Sequence, residues 1–174
     1  MKNRGFTLIE LIVVVVILGI LAITVAPRFL NLQTDAKIAD LQGVAGAMND
    51  AAHLAYDKTA IDGQENAEQY EIAIDADTRG LVQFGYPRVS REGMEHFLQI
   101  ESSYHNEDGL DWTWGASNPS EFSGPHFWVV TQTTWLGEGP YTRESIIASN
   151  CYVRYDAPIA QGEGFTVETI TDGC

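Results

Sequence analysis

Positively charged residues are scarce in this chain, and their scarcity limits the partners that it can bind. Lys and Arg together number 10 against 24 Asp and Glu in 174 residues, which gives a formal net charge of -14. The basic residues are scattered, apart from Lys2 and Arg4 near the start. A phosphate backbone would be repelled unless basic side chains were gathered on one face. We therefore expect no nucleic acid among the partners. We interpret the acidic excess as favouring the solubility of a folded domain in water.

Motifs for catalysis and metal binding are also missing. The sequence contains no Gly-rich phosphate loop, no nucleophile elbow and no His-Glu-X-X-His motif. The stretch Asp75–Gly80 begins like a calcium loop, but the later bidentate Glu is absent, so we interpret it as a turn. No ligand spacing connects the four histidines, His53, His96, His105 and His126. We expect no enzyme activity, no cofactor and no metal site.

Cysteine is nearly absent, since Cys151 and Cys174 are the only two. A pair that closes a loop near the C-terminus is typical of an oxidising compartment. The alternative is two reduced cysteines in a cytosolic protein, but the rest of the sequence favours export.

Long hydrophobic runs are missing too, with one exception at the N-terminus. Leu11 to Ala26 reads LIVVVVILGILAITVA without a charge. Counted from Phe6, the apolar stretch has roughly 21 residues, or about 32 Å as a helix, which is enough to cross a bilayer. Glu10 is its one charged interruption. Lys2 and Arg4 precede it, and positive charge before an apolar run keeps that end in the cytoplasm.

Two ordinary explanations of this stretch remain open. A cleaved signal peptide could end at the small residues Thr24 to Ala26, but Pro27 directly after them would hinder the peptidase, and Glu10 interrupts the apolar region. An uncleaved anchor could instead carry another periplasmic domain, such as an enzyme or a binding protein. That alternative predicts a pocket with converging polar groups and an uncut leader.

The residues from Lys2 to Glu10, KNRGFTLIE, resemble the type IV prepilin signature, in which a short basic leader ends in Gly and Phe-Thr-Leu-Ile-Glu opens a hydrophobic helix. The resemblance implies cleavage between Gly5 and Phe6 by a prepilin peptidase, N-methylation of Phe6, and a role for Glu10 in assembly. The alternative for Glu10 is that its side chain only extends to the cytoplasmic interface of the membrane. The opening residues and Ala26 to Asn31 are most similar to the mannose-sensitive haemagglutinin class of major pilins, which is type IVa-like.

The resemblance also implies an architecture. We expect an α+β fold in which one long N-terminal helix, membrane-spanning in its first half, packs through its second half on an antiparallel sheet. The implied division is a leader over 1–5, a hydrophobic transmembrane and assembly helix over 6–30, and a globular head over 31–174. The helix would kink, or melt on assembly, around Gly19 and Pro27. Cys151 and Cys174 would form a disulfide that delimits a C-terminal loop.

Periodicity supplies the rest of the expected fold. Small and apolar residues from Thr34 to Ala55 recur at steps of three and four, which predicts one buried stripe on a helix that continues to about Asp57. A loop should follow over 58–69, and Ser90 should cap a short helix to about Ser102. Strands are predicted at Tyr70–Asp75, Gly80–Tyr86, Phe127–Thr134, Ile146–Tyr155 and Phe165–Thr171. Core positions are predicted for Phe127 and Trp128, and loop positions for Trp112 and Trp114.

These features predict a structural function rather than a catalytic one. The chain should be the subunit of a type IV pilus, held in the bacterial inner membrane as a precursor and polymerised into an extracellular fimbrium for adhesion and surface attachment. Its implied partners are further copies of the chain, the prepilin peptidase, and the assembly ATPases, platform protein and secretin; the sequence identifies no host or surface receptor. The nearest alternative is a pseudopilin of a type II secretion system, which shares the N-terminus. The cysteine pair favours a pilin.

Overall fold

The computed structural model describes residues 6–105, 109–117, 126–137, 139 and 141–174, with the backbone alone over 26–31. The chain divides into two compact units, 1–37 and 38–174, and forms an α+β fold with a three-stranded and a five-stranded sheet. Its elements in chain order are α1 (Leu8–Ile61), β1 (Tyr70–Ala73), β2 (Arg79–Gln83), β3 (Tyr86–Pro87), a π-helical turn (Arg91–Glu95), α2 (His96–Leu98), β4 (Ser102–Tyr104), β5 (Trp112–Ala116), β6 (Phe127–Gln132), α3 (Thr133–Leu136), α4 (Arg143–Ala148), β7 (Tyr152–Asp156) and β8 (Thr166–Ile170).

The second half of α1 is amphipathic, which confirms the predicted stripe. Leu41, Met48 and Ala52 are fully buried in the main core of the second unit. The helix ends at Ile61, later than its spacing predicts, because Thr59 is buried and its hydroxyl donates to backbone carbonyls of the last turn. Gly63 then adopts a left-handed conformation with φ 67°, a common way for a helix to end.

β1, β2 and β3 form the antiparallel three-stranded sheet in that order. The turn between β1 and β2 is closed by Asp75, whose Oδ1 accepts hydrogen bonds from the backbone N–H groups of Asp77 at 2.9 Å and Thr78 at 2.8 Å. These donors stabilise the carboxylate and lower the pKa of Asp75. The stretch that begins like a calcium loop is therefore a side-chain-capped turn, as interpreted from the sequence.

The strand predicted over Gly80–Tyr86 is divided in the structure. Phe84 and Gly85 have positive φ angles of 47° and 86° and turn the chain between β2 and β3. A Cβ on Gly85 would lie 2.7 Å from the ring of Tyr56, so this turn also brings the backbone close to α1.

Tyr155 of β7 donates its buried hydroxyl to the carbonyl of Pro87 at 2.8 Å, which joins the two sheets. Burial raises the pKa of that phenol.

The five-stranded sheet has the order β4-β5-β6-β7-β8. Three of its pairs are antiparallel, as expected, but β4 and β5 run parallel, with Ser102 opposite Trp112 and Tyr104 opposite Trp114. The expected antiparallel sheet is confirmed, with one parallel pair added at this edge. A parallel pair of this kind requires a connection longer than a tight hairpin turn.

Trp112 and Trp114 belong to β5 and not to a loop, so that prediction was wrong. Alternation along the strand places both indoles on one face. Trp114 is 4% exposed and packs against the fully buried Trp128, with ring centroids 5.6 Å apart. The core position predicted for Trp128 is confirmed. Phe127 is only half-buried, and the guanidinium of Arg154 lies 4.3 Å from its ring centre.

The strand predicted over Ile146–Tyr155 was wrong in its first half, which is the helix α4. Thr142 caps this helix, because its hydroxyl oxygen accepts a hydrogen bond from the N–H of Ser145 at 3.2 Å. Asn150 then takes a positive φ of 50°, and β7 begins only at Tyr152. The predicted strand Phe127–Thr134 is likewise shorter, since β6 ends at Gln132 and α3 follows.

Ser90 caps a helical segment, as predicted, with its Oγ accepting from the N–H of Gly93 at 3.1 Å. The segment ends at Leu98 because Gln99 is left-handed, with φ 51°. Ser102 is the first residue of β4, so the predicted extension of this helix to about Ser102 was wrong.

Candidate functional site: an assembly helix and a closed C-terminal loop

α1 begins with a reciprocal contact between Thr7 and Glu10. One carboxylate oxygen of Glu10 accepts hydrogen bonds from the backbone N–H and the hydroxyl of Thr7, both at 2.8 Å. The N–H of Glu10 donates to Thr7 Oγ1 at 3.4 Å in return. This capping box satisfies donors that the start of a helix otherwise leaves unpaired. The sequence prediction missed Thr7, although Thr-X-X-Glu before an apolar run signals such a cap.

The helix behind this cap has an exposed apolar surface. Every side chain from Leu8 to Val25 is exposed. Among the residues that the structure describes, this stretch is the one helical segment long and apolar enough to cross a membrane. Thr24, its one hydroxyl, donates to the carbonyl of Leu21 at 2.9 Å. A surface of this size requires lipid or other protein molecules to cover it.

The predicted weak points of the helix, Gly19 and Pro27, both lie inside α1, which is continuous through them. A Cβ on Gly19 would meet nothing within 4 Å, so no packing in this chain requires a glycine there. Glycine costs about 1 kcal/mol relative to alanine inside a helix, and proline removes a backbone donor. A kink or a loss of helix on assembly between these positions stays a prediction.

A disulfide between Cys151 and Cys174 closes the C-terminal loop. Cys151 directly precedes β7, whose pairing with β8 begins with Tyr152 opposite Ile170. The disulfide therefore ties the open end of the β7–β8 hairpin, opposite its connecting loop. The sulfur of Cys151 belongs to the main core, and Gly173 N–H donates to the carbonyl of Asn150 at 2.9 Å beside it. A Cβ on Gly173 would lie 1.9 Å from the carbonyl oxygen of Ser149.

The remaining sequence-predicted positions lie at the chain start. Phe6 is exposed, whereas Gly5 lies outside the described residues. Cleavage between them and methylation of Phe6 stay predictions. Within the described parts of the chain, no group of three or more His, Cys, Asp or Glu residues could hold a metal ion.

Comparisons with known proteins concern the same N-terminal region. Residues 1–26 match the prokaryotic N-terminal methylation motif. The chain is 44% identical over 55 residues to the type IV narrow pilus major component PilA5 of Thermus thermophilus, which covers 32% of this chain and 47% of the relative. It is 47% identical over 52 residues to the type II secretion system core protein G of Pseudomonas aeruginosa, covering 28% of this chain and 37% of that protein. The matches thus span less than half of either relative. No solved structure matches the chain significantly.

A capped apolar helix that carries the methylation motif, followed by an α+β head with a disulfide near its C-terminus, defines the class of protein. The methylation motif and the two similarities support the type IV pilin family for this chain, taken broadly enough to include both a pilus component and a secretion core protein. Proteins of this family are structural subunits.

Proposed function

We propose that this chain is the structural subunit of a type IV pilus. The precursor is held in the bacterial inner membrane by its apolar helix, a prepilin peptidase cuts it behind Gly5 and methylates Phe6, and the mature chain polymerises with its copies into an extracellular fimbrium. The assembly ATPases, platform protein and secretin act on it during export. The filament serves adhesion and surface attachment through the acidic heads that it displays.

One observation carries this proposal: the described helix from Leu8 to Val25 is exposed along its whole length, and its single charge, Glu10, lies next to the predicted cleavage site. Exposure on every side suits a helix that lipid covers first and other helices cover later. A carboxylate in a membrane helix is costly, up to about 2.5 to 3.5 kcal/mol at the helix centre on insertion scales. Cleavage behind Gly5 would create an amine on Phe6, and the Phe6 amine of a neighbouring subunit can neutralise Glu10 and fix the axial register of the two chains.

A second candidate function is that of a type II secretion pseudopilin, which the similarity to core protein G favours. A pseudopilin would share the processing and the assembly helix but would form a short periplasmic fibre. The disulfide that closes the β7–β8 hairpin supports the pilus, since a covalent tie suits a head exposed outside the cell. Immunogold labelling of intact cells distinguishes the two, because only a pilus places the heads along fibres beyond the outer membrane.

The proposal is tested in cells that express this chain and no other pilin, with mass spectrometry of sheared fibres. We expect the mature chain to begin at Phe6 and to carry one added methyl group. Glu10→Val should still be cleaved and held in the membrane, because it removes a charge from an apolar segment, but it should enter fibres poorly. An intact Met1 in the fibres, or a mature chain beginning near Pro27, would contradict the proposed cleavage between Gly5 and Phe6.

Glu10→Gln separates the charge of Glu10 from its capping role. The amide oxygen can still accept the hydrogen bonds of Thr7 but cannot pair ionically with an amine. We expect Glu10→Gln to assemble as poorly as Glu10→Val. Normal fibre numbers from Glu10→Gln together with few from Glu10→Val would assign the assembly defect to the helix cap, and normal numbers from both would remove Glu10 from assembly altogether.

A further inference from the structure

Among the described residues of the second unit, Glu95 has a buried carboxyl group with few partners. Its side chain is only 10% exposed, and Oε2 is removed from solvent without a hydrogen bond. Its ionic partner is Arg91, with Nε at 3.5 Å on a side chain that is itself 61% exposed. Its other oxygen accepts a long hydrogen bond of 3.4 Å from Ser102 Oγ. A buried carboxylate needs closer and more numerous partners than these to offset its lost hydration.

The position of Glu95 connects three elements. Glu95 is the last residue of the π-helical turn. Its carboxyl group interacts with Ser102, the first residue of β4, and with the indole of Trp114 in β5. Trp114 Nε1 is buried and has no well-formed hydrogen bond. β4 is a three-residue strand at the edge of its sheet and pairs with β5 alone. A side chain that joins the helical segment to this strand therefore has a large share in holding the edge.

The ionisation of Glu95 is opposed by its surroundings. Burial raises its pKa, and this exceeds the opposing effects of Trp114, Arg91, His96 and Ser102. Arg91 and His96 are the charged or titratable groups that act on it, while β4 and β5 present the uncharged Ser102 and Trp114. β2, which also packs against the segment, presents the carbonyl of Arg79 to His96 Nδ1 at 2.8 Å.

We propose that Glu95 makes the attachment of edge strand β4 pH-sensitive: when protonated it holds the segment Arg91–Tyr104 on the sheet, and when ionised it loosens that segment. The protonated carboxyl is less costly to bury and gains an O–H donor. The sign follows from proton linkage. Because the folded chain binds this proton more tightly than the unfolded chain, its stability falls as pH rises from the ordinary pKa of glutamate through the raised pKa.

The experiment measures thermal unfolding of the processed full-length chain in detergent, by near-ultraviolet circular dichroism, from about pH 4.5 to about pH 8. Glu95→Gln serves as a permanently uncharged side chain of the same shape. Other carboxylates also titrate in this range, so the informative quantity is the difference in Tm between variant and wild type. We expect it to be near zero at the acid end and to grow to at least about 2 °C in favour of Glu95→Gln at the alkaline end.

The matched control is Glu92→Gln, an exposed glutamate of the same turn whose difference in Tm should not change with pH. Hydrogen exchange of peptides covering 91–104 provides a local readout, in which wild-type protection should fall toward that of the other loops at alkaline pH while Glu95→Gln stays protected. Glu95→Met supplies an apolar replacement of similar length if the amide is poorly tolerated. A Tm difference that does not vary with pH for either variant, or one that Glu92→Gln reproduces, would overturn the proposal.

Discussion

The disulfide between Cys151 and Cys174 should supply a large part of the stability of the head. The two residues enclose β7, the connecting loop and β8, and Cys151 is 2% exposed within the main core. Because β8 is an edge strand whose one partner in the sheet is β7, losing the covalent tie frees the last strand of the chain to detach. The perturbation is the double variant Cys151→Ala with Cys174→Ala.

The size of the effect follows from the loop that the disulfide closes. The two cysteines are 23 residues apart, and the chain-entropy model then gives about 3.5 kcal/mol of stabilisation at room temperature. Removing the buried sulfur of Cys151 adds about 1 kcal/mol through lost packing. A total of about 4.5 kcal/mol is a large share of the roughly 5 to 15 kcal/mol that a domain has. It corresponds to a Tm lower by about 10 to 20 °C.

The assay compares thermal unfolding of the processed wild type and the double variant in the same detergent, each with and without a reductant. Reductant should lower the Tm of the wild type by most of the predicted difference. It should leave the Tm of the double variant unchanged. Cleavage behind Gly5 should be equal in both, because the leader is remote in sequence, while the yield of fibres should fall. A double variant that melts within about 2 °C of the oxidised wild type would refute the entropic argument.

Two further predictions concern α1. Met48→Ala removes a fully buried side chain from the main core and should lower the unfolding free energy by about 2 to 4 kcal/mol in a denaturant titration. The control Leu54→Ala, at a half-exposed position, should change it by less than about 1 kcal/mol. Equal losses would mean that this face of the helix does not pack as described. Thr7→Val removes the hydroxyl that caps the helix, which should cost about 1 kcal/mol of helix stability and reduce fibre yield without blocking cleavage. Thr7→Ser should restore the yield. A Thr7→Ser variant as defective as Thr7→Val would show that the hydroxyl is not responsible.

The long helix could be predicted from the sequence because its signals are local and repeated. The apolar stretch around Gly19, from Leu11 to Ala26, and the buried stripe through Leu41 and Met48 each extend over several helical turns. Single irregular residues therefore do not obscure them. The end at Ile61 was missed by one turn because it depends on the burial of Thr59, which periodicity does not reveal. Element ends generally depend on such tertiary contacts.

β4 and β5 escaped prediction for a different reason. β4 has three residues, two of them serines, and its burial comes from the parallel pairing with β5 and from the segment that contains Glu95. Trp112 and Trp114 alternate with the polar Thr113, a spacing that the prediction of a loop did not take into account. Pairing between residues far from any hairpin turn leaves no local signature, and the same holds for the strand order of the head.

The helix α4 shows how a capping residue can decide between two structures of similar hydrophobicity. Ile146 and Ile147 are β-branched and favour a strand on propensity alone. Thr142, four residues earlier than Ile146, supplies the oxygen that starts a helix, and Ile146 then becomes fully buried against the outer face of the sheet. The prediction counted the β-branched residues and passed over the cap.

The cap at the start of α1 bears on why an acid stands in an apolar segment at all. Hydrogen bonds from Thr7 give Glu10 a structural use in the single chain, worth about 1 kcal/mol for a helix cap. Insertion of a carboxylate costs up to about 2.5 to 3.5 kcal/mol at the centre of a membrane helix, so the deficit that the cap leaves grows with the depth of Glu10 in the membrane. An uncharged cap such as Gln would avoid that deficit and keep the hydrogen bonds. Under the proposed assembly this charge has a positive partner, for which the amine that cleavage would create on Phe6 is the nearest candidate in the sequence. Both oxygen contacts of Thr7 fall on Oε2, so Oε1 is the oxygen that would accept that amine from a neighbouring subunit.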